Sequence, residues 1–370
     1  MDNNKLATKP HYLILDALRG VAALIVVCFH LCEPLATSRF TQLINHGYLA
    51  VDFFFLLSGF VIGYAYDDRW HKLTFGSFMR RRFERLQPLV ILGMTLGAIG
   101  FYFTDSTIWP LIHTVPLWKL LLVLLIGYTL LPIPLSMDIR GWQEMHPLNS
   151  VGWSLFFEYI ANILYALGLR KLSAKGLFIF VLIAAAALFH FALTSPNGDV
   201  TGGWTLNWEH MRAGITRTMY PFFAGLLLSR IAKPAQIKNA FLWCSLLIVA
   251  ILFMPRIGGE GNLWMNGLYE AVCIVFVFPA IVYLGASGVI NKQVESRICK
   301  FLGDLSYPLY MVHYPLVYFY VAWVSNNKGI TLAEAWPYAL LTLVGSIIVA
   351  YGSLKFFDEP VRAWLRRKLK

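Results

Sequence analysis

An arginine and a histidine stand eleven residues apart in the apolar run LILDALRGVAALIVVCFHLCEPL, at Arg19 and His30. At about 100° per residue that step leaves an angular offset of only roughly 20° and separates the two groups by about 16 Å along a helix. Asp16 falls within roughly 40° of His30 on the same count. A guanidinium binds anions, and an imidazole is the side chain best suited to take a proton near neutral pH. The plainer alternative is that Asp16 and Arg19 pair at a membrane interface while His30 turns toward water.

Further along, SVGWSLFFEYIANILYALGL places Glu158, Asn162 and Tyr165 within roughly 60° on one helical face. An intramembrane glutamate seldom lacks a partner, and His30, Arg19 or a tyrosine are candidates. In the stretch from Phe75 to Leu86, the residues Phe75, Phe78, Met79, Phe83 and Leu86 form one helical stripe. Such a stripe suits a helix lying in the membrane interface. Arg82 projects from the middle of that stripe with Arg85 one turn on, so the pair points into the protein, where it suits phosphates. Retention of a cytoplasmic loop is the alternative role. Asp304, Tyr307, Tyr310 and His313 share a segment that Pro308 and Pro315 distort. Asp52, near one end of its segment, reads as solvated, and Gly59 and Gly63 as helix-packing positions.

The elements that must hold these groups are set by composition. Of the 370 residues 58% are hydrophobic and only 14% are charged. Soluble domains carry about 25% charged residues, so an ordinary cytosolic enzyme and a disordered chain are both excluded. The net charge of +11 is first a topology signal in such a chain, and no nucleic acid is expected. Cys28, Cys32, Cys244, Cys273 and Cys299 lie in or beside apolar runs without metal-ligand spacing, so neither a disulfide framework nor a metal is expected.

Eleven apolar segments are predicted, near 13–34, 47–66, 87–104, 117–135, 150–169, 176–194, 213–231, 239–255, 266–287, 300–324 and 333–357. The first lacks a cleavage site, so a removable signal peptide is not expected. Basic loops alternate with loops poor in lysine and arginine, and Lys5 and Lys9 place the N-terminus inside. The alternation fails once, between Arg85 and Arg170, where three segments stand but an even number is needed. One of 87–104 and 117–135, preferentially the second with Pro116, Pro132 and Pro134, is therefore expected to be re-entrant or to lie flat. The expected fold is an all-α polytopic transmembrane bundle of about ten crossings, with that segment between 87 and 137 and both termini cytoplasmic. Residues 1–370 form one membrane domain, with no internal repeat.

Taken together, LDALRGVAAL with the Arg19–His30 spacing, VDFFFLLSGF (51–60), RRFERLQP (81–88), WSLFFEY (153–159), LSYPLYMVHYP (305–315) and the terminal Glu359-Pro360 resemble the acyltransferase-3 family of integral-membrane acyltransferases. The resemblance runs in order over almost the whole chain. It implies transfer of an acyl group, commonly acetyl, from acyl-CoA to a hydroxyl, typically of a carbohydrate or cell-envelope glycan, in the bacterial inner membrane. A stand-alone membrane form is expected, without the esterase-like domain that some members append. The aromatic pair in WSLFFEY stands where many members have smaller residues.

The resemblance implies His30, Glu158 and Arg19 as the catalytic set, Arg82, Arg85, Arg81 and Ser58 as the acyl-CoA set, and Asp16, Asp52, Trp153, Tyr307, Tyr310 and His313 as substrate or supporting residues. A sugar hydroxyl needs a base, the usual task of histidine, and Glu158 would orient it. Arg19 would hold a phosphate or the thioester carbonyl. The donor's arm would thread past Arg19, or the acyl group would cross on a covalent carrier. A secondary transporter or exporter is the competing class, since intramembrane charges and broken helices also line substrate pathways.

Overall fold

The computed structural model describes Lys9 and residues 11–368; Lys5 lies outside the described residues. Thirteen α-helices follow one another among these, and each of the eleven predicted segments contains one or more. They are α1 (Leu13–Cys32), α2 (Ala50–Tyr66), α3 (Phe75–Gly100), α4 (Leu117–Tyr128), α5 (Gly152–Leu167) and α6 (Ala174–Thr194). Next come α7 (Trp208–Ile231), α8 (Ala240–Phe253), α9 (Leu263–Val272) and α10 (Phe278–Ala286). The chain closes with α11 (Gln293–Asn326), α12 (Leu332–Gly352) and α13 (Glu359–Lys368). The only regular pairing besides helices among the described residues is a two-residue parallel contact, Ile237–Lys238 with Gly288–Val289.

Among the described residues, six segments are long and apolar enough to cross a bilayer. Ile183, Leu341 and Phe356 are exposed on the bundle's rim, as expected of side chains that meet lipid instead of water. Inside, α1 lies against α11 and α2 against α7. The second contact is backbone to backbone: a Cβ on Gly59 would sit 1.8 Å from the Phe222 carbonyl oxygen, and one on Gly225 would sit 2.0 Å from that of Leu56. Small residues permit such an approach where no hydrophobic effect drives helices together.

Helix α3 departs from expectation. The amphipathic stretch is no separate interfacial helix: α3 starts at a Thr74–Ser77 capping box and runs unbroken through 26 residues into the next apolar segment. The stripe divides because protein covers part of it. Phe78 is buried against Tyr66, Trp70 and Tyr165, while Phe75 and Phe83 stay exposed. Helix α4 has 12 residues, or about 18 Å, short of a hydrocarbon core of roughly 30 Å. After it the chain turns at Leu130 and folds back, with Ile133 donating to the Met145 carbonyl and Met145 to that of Trp204.

Prolines inside helices free carbonyls that side chains then satisfy. Pro315 cannot donate to the Met311 carbonyl, which accepts from Asn149 Nδ2 at 2.8 Å. Pro279 leaves the Val275 carbonyl within the wide turn Cys273–Val277, and the Tyr220 hydroxyl donates to it at 2.8 Å.

Basic side chains gather at one end of the bundle. There Lys9 meets Asp68 at 2.9 Å, Arg230 meets Asp67 at 2.5 Å and Arg170 covers Trp70. At the far end, Asp199 joins two loops by accepting from Arg39 and, at 2.9 Å, from Arg256.

Candidate active site

A cavity opens between α1, α2, α3, α5 and α11. Arg19, Arg82 and Arg85 line it, with Ser58, Glu158, Tyr307 and Tyr310. Arg82 is buried, and its Nη2 donates to Glu158 Oε1 at 2.5 Å. The Ser58 hydroxyl donates to the same oxygen at 2.6 Å. Thus the expected pairing of Glu158 with His30 does not form, because Arg82 and Ser58 take that carboxylate. Arg19 keeps Asp16 at 3.4 Å, behind the cavity wall. The lining therefore holds three guanidiniums and one carboxylate, an excess of positive charge that favours an anionic guest. Arg81 is half-buried and outside the lining.

Away from the arginines the wall becomes apolar with Val51, Phe54, Phe55 and Leu155, broken by one hydroxyl pair. That pair is Ser154 Oγ and the Tyr310 hydroxyl at 2.6 Å. Tyr307 donates to the Leu86 carbonyl at 2.7 Å. The remaining residues of the α5 face serve as struts: Asn162 donates to the Glu158 carbonyl at 2.7 Å and Tyr165 to Asp67 at 2.9 Å.

His30 does not share this chamber with Arg19. It stands toward the far end, its ring stacked on His313 with centroids 5.7 Å apart and edge-on to Tyr314 at 4.8 Å. Phe54 packs edge-on against Tyr310 at 5.4 Å within the cavity wall. Tyr310 lines the cavity, and its ring lies 6.0 Å from that of His313. The polar partner of His30 is Glu33, with Nδ1 and Oε2 3.1 Å apart. His313 is fully buried, its Nδ1 within 3.0 and 2.9 Å of the Leu309 and Tyr310 carbonyls, while its Nε2 has no partner among the described residues.

Asp52 is not solvated. It is fully buried and holds Arg217, with Oδ2 to Nη2 at 2.6 Å and Oδ1 to Nε at 3.2 Å. Trp153 also stands apart from the lining, its ring 5.3 Å from the Arg217 guanidinium. Sequence reasoning passed over Arg217, although an arginine in the segment 213–231 was visible as an intramembrane charge. It also passed over Glu33, three residues beyond His30.

A folded-back loop, residues 129–151, adds polar groups at the far end. Arg140 lies 3.7 Å from the Tyr318 ring centre, and Tyr318 donates to Glu144 at 3.1 Å. Burial pushes the Glu144 carboxyl up from its ordinary value. Burial likewise pulls His146 down to about 4, against a hydrogen bond to the Leu130 carbonyl that works the other way. Among the described residues no cluster of metal-ligating side chains is present.

A family model described as "Acyltransferase domain" matches residues 12–354. "Protein 2 in picA locus" of Rhizobium radiobacter is 33% identical over 184 residues, covering 48% of this chain and 92% of that protein. "O-acetyltransferase OatA" of Staphylococcus aureus is 24% identical over 386 residues, covering 95% of this chain and 58% of the relative, so the chain spans little more than half of that protein. No solved structure matches. With the family model running from the start of α1 into the turn beyond α12, the chain belongs to the acyltransferase-3 family and is a multi-pass membrane protein.

Proposed function

We propose that this protein is an O-acyltransferase of the bacterial inner membrane that moves an acyl group, acetyl in the simplest case, from acyl-CoA to a hydroxyl of a cell-envelope glycan. The basic end is cytoplasmic, as are both termini. What carries the reading is the surplus of guanidinium over carboxylate at Arg19, Arg82 and Arg85, since the donor brings phosphates and guanidinium meets them bidentately. Arg19 lies about 16 Å along α1 from His30, so its charge serves the phosphates and not the reacting carbonyl. The donor's extended arm runs outward along the apolar wall and passes Phe54 and Tyr310 when these part.

In the transfer step His30 Nε2 takes the proton of the acceptor hydroxyl. The hydroxyl oxygen bonds to the thioester carbonyl carbon. The carbon–sulfur bond breaks, and the CoA thiolate leaves with the proton.

Inverted membrane vesicles given labelled acetyl-CoA test this reading. Alkali-labile label on glycan, lost in His30→Ala at unchanged protein level, is the expected result. Normal ester formation by that variant overturns the role of His30. Movement of an unmodified solute with no ester formed supports a transporter, and label retained on the protein itself supports a covalent carrier.

A further inference from the structure

We infer that Glu33 is a positioning residue that selects the working tautomer of His30, an inference that rests on the proposed reading of His30 as the base. Helix α1 ends at Cys32 and a tight turn begins at Glu33, which brings a carboxylate three residues on under the imidazole of the last helical turn. Glu33 Oε2 lies 3.1 Å from His30 Nδ1. An ionised carboxylate only accepts, so Nδ1 carries the hydrogen and Nε2 the lone pair. No other carboxylate reaches this ring at ion-pair distance among the described residues. The groups facing it from α11 are His313 and Tyr314. His313 gives its Nδ1 hydrogen to backbone carbonyls, so it leaves the choice of His30 tautomer to Glu33.

Access agrees with the assignment. The Glu33 side chain is 53% exposed and that of His30 18%, while His313 is enclosed. A hydroxyl acceptor therefore reaches the imidazole past Glu33, at the far end of the bundle, and not through the arginine-lined cavity. An exposed pair of this kind adds little stability; its effect is on which nitrogen is free.

The test uses the full chain in lipid nanodiscs, labelled with nitrogen-15 at histidine and read by NMR at neutral pH, alongside the vesicle assay. His30 signals, identified by their loss in His30→Ala, should show hydrogen on Nδ1. Glu33→Ala should give a mixture of tautomers and lower kcat about tenfold with an unchanged KM for acetyl-CoA. Glu33→Gln keeps an acceptor oxygen in place and should recover both the tautomer and most of the rate. If His30→Ala forms ester at the wild-type rate, the reading of His30 as base falls and this inference with it. If His30→Ala is inactive while Glu33→Ala keeps the wild-type tautomer and kcat, the base reading stands and the role of Glu33 is overturned.

Discussion

The Arg82 guanidinium and the Glu158 carboxylate, 76 residues apart in sequence, meet at 2.5 Å in the wall of the cavity. Ser58 adds a third helix to the same carboxylate oxygen. Glu158 thus restrains one cation of the cavity and leaves Arg85 with no carboxylate at ion-pair distance among the described residues. The two arginines should respond differently to substitution.

Arg82 both holds Glu158 and lines the cavity. Glu158→Ala strands a largely buried cation, a change that typically costs about 3–5 kcal/mol. A clear fall in unfolding temperature in detergent is expected. Arg82→Ala should raise the KM for acetyl-CoA, and Arg82→Lys should not restore it, because an ammonium lacks the bidentate fork. An unchanged KM would reduce Arg82 to a partner of Glu158.

Arg85 has no such partner to strand. Arg85→Ala should raise the donor KM roughly tenfold to a hundredfold, the loss of one charge-assisted contact, with little change in unfolding temperature. Steady-state kinetics and a melting curve on the same preparation separate the two effects.

Asp52 and Arg217 form a fully buried pair outside the cavity. Asp52→Asn should destabilise the protein by about 3 kcal/mol or more. Asp52→Leu combined with Arg217→Met should recover much of that loss, as apolar replacement of a whole buried pair often does. Unfolding of the single and double variants in matched detergent checks both statements.

His146 links stability to pH. Burial holds it at about 4, while the unfolded chain returns it to about 6.5. Its contribution is fully present above about pH 6.5 and is lost as the pH falls toward 4, because only the unfolded state gains the proton there. Protonation of His146 in the unfolded chain alone removes at most about 3 kcal/mol of stability. Denaturation at pH 7 and pH 4.5 in wild type and His146→Asn should show a smaller acid loss in the variant.

Much of the bundle was legible in the chain because the signals are local. Apolar runs gave the helices, and the wheel from Phe75 to Leu86 turned Arg82 inward, where it is buried. The α2 glycines marked a close contact, and α7 supplies its other side. Partners were not legible. The carboxylate on Arg82 and the guanidinium on Asp52 come from helices distant in sequence, and helical spacing constrains one element at a time. Arg19 and His30 sit on one helix, but only Arg19 lines the cavity, while His30 packs on His313 and Tyr314 of α11. Glu33 escaped notice for a different reason: the turn that carries it lies just beyond the periodic pattern.

Helix α11 carries Tyr307 and Tyr310 on the cavity and His313 against the imidazole of His30, all within about 9 Å of its length. Its backbone between them is gripped at Met311 by Asn149 from the folded-back loop. Cavity wall, buried imidazole and folded-back loop thus share one stretch of α11 backbone.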